Sequence, residues 1–125
     1  MILVDTSIWV AHFRTSVPAL EDLLLKQRVL AHSWVIGELA CGTLRRRAQL
    51  LTWMRKLPAA TIANDQEVFT LIEDKHLWGK GIGWVDAHLL ASGLITGCEL
   101  WTRDQPLHAA AVKLGIAFRA HDVIP

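Results

Sequence analysis

Four acids in this sequence have settings that ask for chemistry: Asp5, Glu38, Asp86 and Asp104. Asp5 directly follows the apolar run Ile2-Leu3-Val4, and Asp104 stands two residues beyond the run Glu99-Leu100-Trp101-Thr102. In an open α/β sheet the ligand crevice lies beyond the carboxyl ends of the strands, where both acids would fall if those runs are parallel neighbours. Glu38 and Asp86 sit inside apolar segments, Trp34-Val35-Ile36-Gly37-Glu38-Leu39 and Trp84-Val85-Asp86-Ala87-His88-Leu89. An acid buried in such a segment is costly unless something pairs with it, and Asp86 has no Lys or Arg three or four residues away. A shared cation satisfies all four. Two bare carboxylates about 4 Å apart repel by about 4 kcal/mol at an effective dielectric near 20. An all-oxygen donor set selects Mg²⁺ or Mn²⁺ over zinc, and such ions keep positions open for phosphate oxygens. Each acid also has a plainer reading. Asp104 is a good helix cap, Asp5 a turn residue, Glu38 a solvated helix residue, and Asp86 a first-turn acid favoured by the helix dipole.

The elements that must position these acids follow from the pattern. Ile2 to Val4 predicts a short buried strand, and Thr6 or Ser7 starts a helix through Phe13. Pro18 opens a second helix, and Arg28 to His32 holds a second strand. Ser33 is the expected N-cap of a helix over Trp34 to Cys41. Leu44 to Leu57 predicts an amphipathic helix that Pro58 ends, with Ala59 to Ala63 a weak third strand. Asn64 and Glu67 form a capping-box pattern for a helix to about Leu77. The Gly79–Gly83 stretch predicts a flexible loop before a helix over Val85 to Thr96. Glu99 to Thr102 is a strand, Asp104 caps a helix to Leu114, and Ile116 to Phe118 is a last strand. Short apolar strands alternating with helices predict an α/β fold with a buried parallel sheet.

The chain has 125 residues, a size suited to a single domain over 1–125. Net charge is +1 without a basic tail, so bulk charge gives no argument for nucleic-acid binding. Cys41 and Cys98 stand apart with no metal-ligand spacing and read as reduced, buried side chains. The N-terminus lacks the basic region of a signal peptide, and no stretch approaches a membrane span. The expectation is a cytoplasmic protein without membrane contact. Six Trp residues are expected mostly in the core, with one or two free to stack on a base or at an interface.

The motifs together resemble those of PIN-domain proteins of the VapC toxin family. Met-Ile-Leu-Val-Asp5-Thr6-Ser7-Ile-Trp is similar to the start of that family. Val35-Ile36-Gly37-Glu38-Leu39, Val85-Asp86-Ala87-His88-Leu89 and Leu100-Trp101-Thr102-Arg103-Asp104 resemble its second, third and fourth acid motifs, in order across nearly the whole chain. The resemblance implies a three-layer α/β/α sandwich around a short parallel sheet. It implies a toxin of a type II toxin–antitoxin system, a Mg²⁺- or Mn²⁺-dependent endoribonuclease in which a metal-activated water attacks phosphorus in line. Asp5, Glu38, Asp86 and Asp104 would then hold the metal, with Thr6, Ser7 and Thr102 orienting a ligand or water. The implied partners are RNA, a small antitoxin from the same operon that occludes the site, and a second copy in a homodimer.

Other features compete for attention. Arg45-Arg46-Arg47 reads as a solvated helix face or a partner contact, whereas Arg14, Lys80 and Arg103 flank the acids and suit phosphate. The glycine loop lacks the pattern of a phosphate-binding loop. Ser92, His88 and Asp86 could be assembled into a triad on paper, but no GxSxG elbow is present. A phosphoacceptor signalling domain would want two acids after the first strand and a Lys after the last; here Thr6 and Ser7 follow Asp5, and no Lys follows Ile116 to Phe118. A catalytically silent binding module of the same fold is the remaining alternative, and the intact acids argue against it.

Overall fold

In the computed structural model, which describes residues 1–120, a three-stranded parallel sheet runs in the order β2-β1-β3. The strands are β1 (Ile2–Val4), β2 (Val29–Leu30) and β3 (Glu99–Trp101). Ile2 pairs with Val29 on one side and Glu99 on the other, and Val4 pairs with Trp101. Successive strand residues point to opposite faces. All three residues of β1 are buried, so helices must cover both faces, which is the three-layer α/β/α arrangement.

Seven helices supply that cover: α1 (Thr6–Arg14), α2 (Pro18–Leu25), α3 (Ser33–Ala40), α4 (Arg47–Met54), α5 (Asp65–Lys75), α6 (Trp84–Thr96) and α7 (Gln105–Lys113). The most enclosed is α6, where every residue from Ala87 to Gly93 is buried. It packs against α5, β3 and α7. Gly97 ends it at φ +75°, a left-handed conformation in which glycine has no Cβ to clash.

Several boundaries differ from the sequence expectation for local physical reasons. Ala59 to Ala63 forms no strand; only Ala59 bridges Ala31, because the partner chain turns into α3 at Ser33 and leaves nothing for residues 61–63 to pair with. Ile116 to Phe118 is likewise reduced to one bridge, Ala117 to Leu100. The helix expected from Leu44 starts only at Arg47, since Arg46 at φ +54° breaks the run. The N-cap of α3 is His32 rather than Ser33: its Nδ1 accepts the Trp34 N–H at 3.1 Å. The capping box of α5 is present as expected, Asn64 and Glu67 each accepting the other's backbone N–H. That helix stops at Lys75, where His76 turns left-handed.

Two composition readings also change. Of the six tryptophans only Trp9 and Trp101 are buried; Trp53 and Trp78 are exposed, and Trp34 and Trp84 are half-buried. Cys98 is buried as expected, but Cys41 is exposed at the end of α3.

Candidate active site

Asp5 leaves β1 and opens α1, yet its side chain does not cap that helix. The carboxylate is used otherwise. Its Oδ2 accepts the Thr102 hydroxyl at 2.5 Å and the Ser7 hydroxyl at 2.8 Å. With both protons committed to Asp5, the 3.3 Å approach of Ser7 Oγ to Thr102 Oγ1 is a contact between two oxygens sharing one acceptor. Each hydroxyl oxygen in turn accepts a backbone N–H: Thr102 from Asp104 at 3.0 Å, Ser7 from Arg103 at 3.0 Å. The parallel pairing of β1 with β3 makes this possible, because it brings residue 5 and residue 102 side by side at the carboxyl end of the sheet. Asp5 is only 6% exposed, so the two hydroxyls are what satisfy a carboxylate taken out of water.

The other three acids reach the same region from helices. Asp104 is the N-cap of α7 and accepts the Leu107 N–H on Oδ2 at 3.0 Å. Asp86 is at the third position of α6 and accepts the Gly83 N–H on Oδ2 at 3.1 Å. Glu38 lies on α3, and its Oε1 accepts the Thr6 hydroxyl at 2.6 Å. Burial raises the pKa of Asp86, the Gly83 N–H partly offsets that, and the charges of Asp5, Asp104 and Glu38 raise it further. All four carboxylates thus feel one another at Asp86, the like-charge case in which protonation relieves repulsion.

The acids form a graded set, with Asp5 buried at the floor, Asp86 half-buried, and Glu38 and Asp104 exposed at the rim. Glu38 therefore needs no burial argument, contrary to the reading from its apolar neighbours. One oxygen of each acid is tied by a hydrogen bond, and no hydrogen bond among the described residues uses the other. The donor set is all carboxylate with hydroxyls behind it, which fits a hard divalent cation in chemistry. As placed, no three such groups among the described residues close into a metal shell. A hydroxyl or a helix N-terminal N–H fixes one oxygen of each of the four carboxylates.

Thr6, Ser7 and Thr102 divide their work. Ser7 and Thr102 hold Asp5, whereas Thr6 holds Glu38 and so links α1 to α3. Arg14 and Arg45 line a groove of about 540 Å³ that starts at Thr6 and Glu38 and is walled by Val10, Phe13, Leu39 and Leu44. Lys80 is exposed in the glycine turn. Arg45, Arg46 and Arg47 are exposed, as the solvated reading expects, but only Arg47 is helical: Arg46 is the left-handed residue before α4, and Arg47 Nε donates to the Ala40 carbonyl at 2.9 Å.

The paper triad is absent. Ser92 Oγ lies 2.9 Å from His32 Nε2, and His88 stacks on Trp34 with its Nε2 3.3 Å from Asp65 Oδ1. Two contributors escaped the sequence reading. Gly83 holds Asp86 through its backbone, a relation its place three residues before Asp86 could have suggested. His32 cross-links α3 to α6, which no local pattern announces.

Comparison with known proteins shows the family. The model of the PIN domain family matches residues 2–113. Two curated relatives, each named Ribonuclease VapC32, come from Mycobacterium tuberculosis strains CDC 1551 / Oshkosh and ATCC 25618 / H37Rv. Each is 42% identical over 118 residues, covering 94% of this chain and 95% of its own length.

Proposed function

The chain belongs to the VapC ribonucleases of the PIN-domain family, and from that premise we propose that it is the toxin of a type II toxin–antitoxin pair, an endoribonuclease dependent on Mg²⁺ or Mn²⁺. Asp5, Glu38, Asp86 and Asp104 hold the cation. The observation that carries this reading is the buried carboxylate of Asp5 at the carboxyl end of the sheet, braced by two hydroxyls, one of which also accepts the Asp104 N–H.

The bound cation supplies charge to activate water and to stabilise the oxygens around the reacting phosphorus. The chain's residues set the conditions for that chemistry. Thr102 and Ser7 fix Asp5, since both donate to the same oxygen. Thr6 holds Glu38 toward the rim, and the Gly83 N–H orients Asp86. The second oxygens of the acids are left to face the cation. Arg14 and Arg103 border the crevice from α1 and from the turn after β3, and guanidinium groups suit phosphate oxygens.

The partners that follow from this reading are RNA, a cognate antitoxin protein that covers the site, and a second copy of the chain. The residues form a single domain over 1–125, acting in the cytoplasm; no helix among the described residues is long and apolar enough to cross a membrane. Incubation with total cellular RNA and Mg²⁺ or Mn²⁺ tests the activity. Discrete cleavage that EDTA abolishes and Asp5→Asn loses is the expected result. Intact RNA with either metal, and normal growth on expression, would overturn the reading.

A further inference from the structure

Four carboxylates outnumber the two charges of one divalent cation even when one of them holds a proton, and an RNA strand is itself a polyanion. Cations beside the crevice must therefore draw the strand in. The groove running from Glu38 past Arg14 and Arg45 is mixed, with an acid at its mouth and mostly apolar walls. The opposite side differs. There a cavity of about 400 Å³ opens between β3 and α7, lined by Trp101, Thr102, Arg103, Gln105, His108 and Arg119 among others, with no carboxylate among the described residues of its wall.

This cavity is linked to the acids through Thr102, which lines the cavity and whose hydroxyl holds Asp5. Arg103 is fixed at the boundary, because its backbone N–H donates to Ser7 Oγ, the other support of Asp5. Gln105 follows Asp104 directly as the first residue of α7. Trp101 and Phe118 meet edge to face at 5.3 Å and give the cavity an apolar wall, beside which attraction between a guanidinium and a phosphate is less screened than in open water.

We propose that this cavity binds a phosphodiester group of the RNA strand next to the scissile one, with Arg103 and Arg119 as its cations and the His108 ring beside them. The proposal rests on the ribonuclease reading above and adds the path of the strand: it leaves the acids across Thr102 toward α7. Arginine suits the role because its charge is permanent and its fork matches two phosphate oxygens.

The test uses the full-length chain, wild type and the variants Arg119→Gln, Arg119→Lys and Arg103→Gln, with folding checked by circular dichroism. Binding of a fluorescein-labelled uridine oligomer is followed by anisotropy over a range of salt, with Asp5→Asn introduced throughout to prevent cleavage. Each glutamine variant is expected to weaken binding roughly tenfold, the scale of a charged hydrogen bond. It should also lower the slope of log affinity against log salt by about 0.7, the single-strand value for one phosphate contact. Arg119→Lys should keep the slope. In the cleavage-competent background Arg119→Gln, the variant farther from the acids in sequence, should raise KM and leave kcat nearly unchanged. Unaltered affinity and slope in the glutamine variants, with wild-type protein still cleaving RNA, would overturn the cavity's role while sparing the activity. That outcome is also the one expected if the cavity serves a protein partner. Absence of cleavage by the wild type would instead overturn the reading beneath it.

Discussion

The Thr102 hydroxyl donates to Asp5 Oδ2 at 2.5 Å across 97 positions of sequence. This contact joins the ends of β1 and β3, and Thr102 also accepts the Asp104 N–H. One hydroxyl therefore ties the floor acid to the acid that caps α7.

Replacing Thr102 with Val keeps the shape and removes both bonds. A buried donor and a buried carboxylate each lose a partner, so stability should fall by about 1–3 kcal/mol. Ser7 still holds Asp5, so RNA cleavage should drop without vanishing. Thr102→Ser should recover most of both losses. Urea unfolding and initial cleavage rates check this; a Val variant as stable and active as wild type would contradict it.

Asp86 has a raised pKa because burial and three neighbouring acids disfavour its charged form. For such a group the folded state holds its proton more tightly than the unfolded chain. Its contribution is therefore most favourable at low pH and declines as pH rises through the folded value. Asp86→Asn should raise the metal-free melting temperature near neutral pH by about 2–4 °C. Metal saturation should stabilise the wild type, by about 2.7 kcal/mol at one hundred times Kd, and the variant much less. Scanning calorimetry with EDTA or Mn²⁺ distinguishes these; equal metal shifts in both proteins would count against Asp86 as a ligand.

His32 titrates in the opposite sense. Burial, and next the charge of His88, depress its pKa from 6.5 to about 4. Its Nδ1 accepts the Trp34 N–H, so the ring proton sits on Nε2 and is donated to Ser92. Between pH 6.5 and 4 the unfolded chain takes up a proton that the folded chain refuses. The neutral ring's contribution is complete above 6.5 and is lost as pH falls toward 4, up to about 3 kcal/mol at 1.36 kcal/mol per unit. The stability advantage of wild type over His32→Gln should shrink across that window. Denaturant midpoints at a series of pH values measure it, and a constant difference would refute the assignment.

Gly81 sits at φ +80°, and a Cβ there would lie 3.4 Å from the Pro106 side chain. The turn it belongs to ends at Gly83, which holds Asp86. Gly81→Ala should cost roughly 1–2 kcal/mol through the left-handed backbone and lower activity by displacing that anchor. Thermal unfolding with a cleavage assay tests it, and full activity with unchanged stability would show the turn tolerates a side chain.

Much of this arrangement was legible in the sequence. The Ile2-Leu3-Val4 run ending in Asp5, the Asn64–Glu67 box and the Asp104–Pro106 helix start are local signals, and each appears where its pattern placed it. What was not legible depends on partners far along the chain. The edge segments at Ala59 and Ala117 are strand-like in composition, but each pairs only through a single bridge, a matter of how far the neighbouring strand runs alongside it. Likewise the spacing of polar residues could not reveal that Thr6 serves Glu38 while Ser7 and Thr102 serve Asp5. Those assignments exist only once β1 and β3 lie side by side. Glu38 shows the limit most plainly: apolar neighbours suggested burial, yet it is exposed at the rim.

The central claim is that Asp5, Glu38, Asp86 and Asp104 form one cation site. Titration of metal-free protein with Mn²⁺, read by calorimetry and by the paramagnetic signal of free ion, tests it most directly. The account predicts saturable binding by wild type and a loss of at least roughly tenfold in affinity, about 1.4 kcal/mol, for Asp5→Asn, Glu38→Gln, Asp86→Asn and Asp104→Asn alike. Mn²⁺ affinity unchanged by these substitutions in folded protein would contradict it.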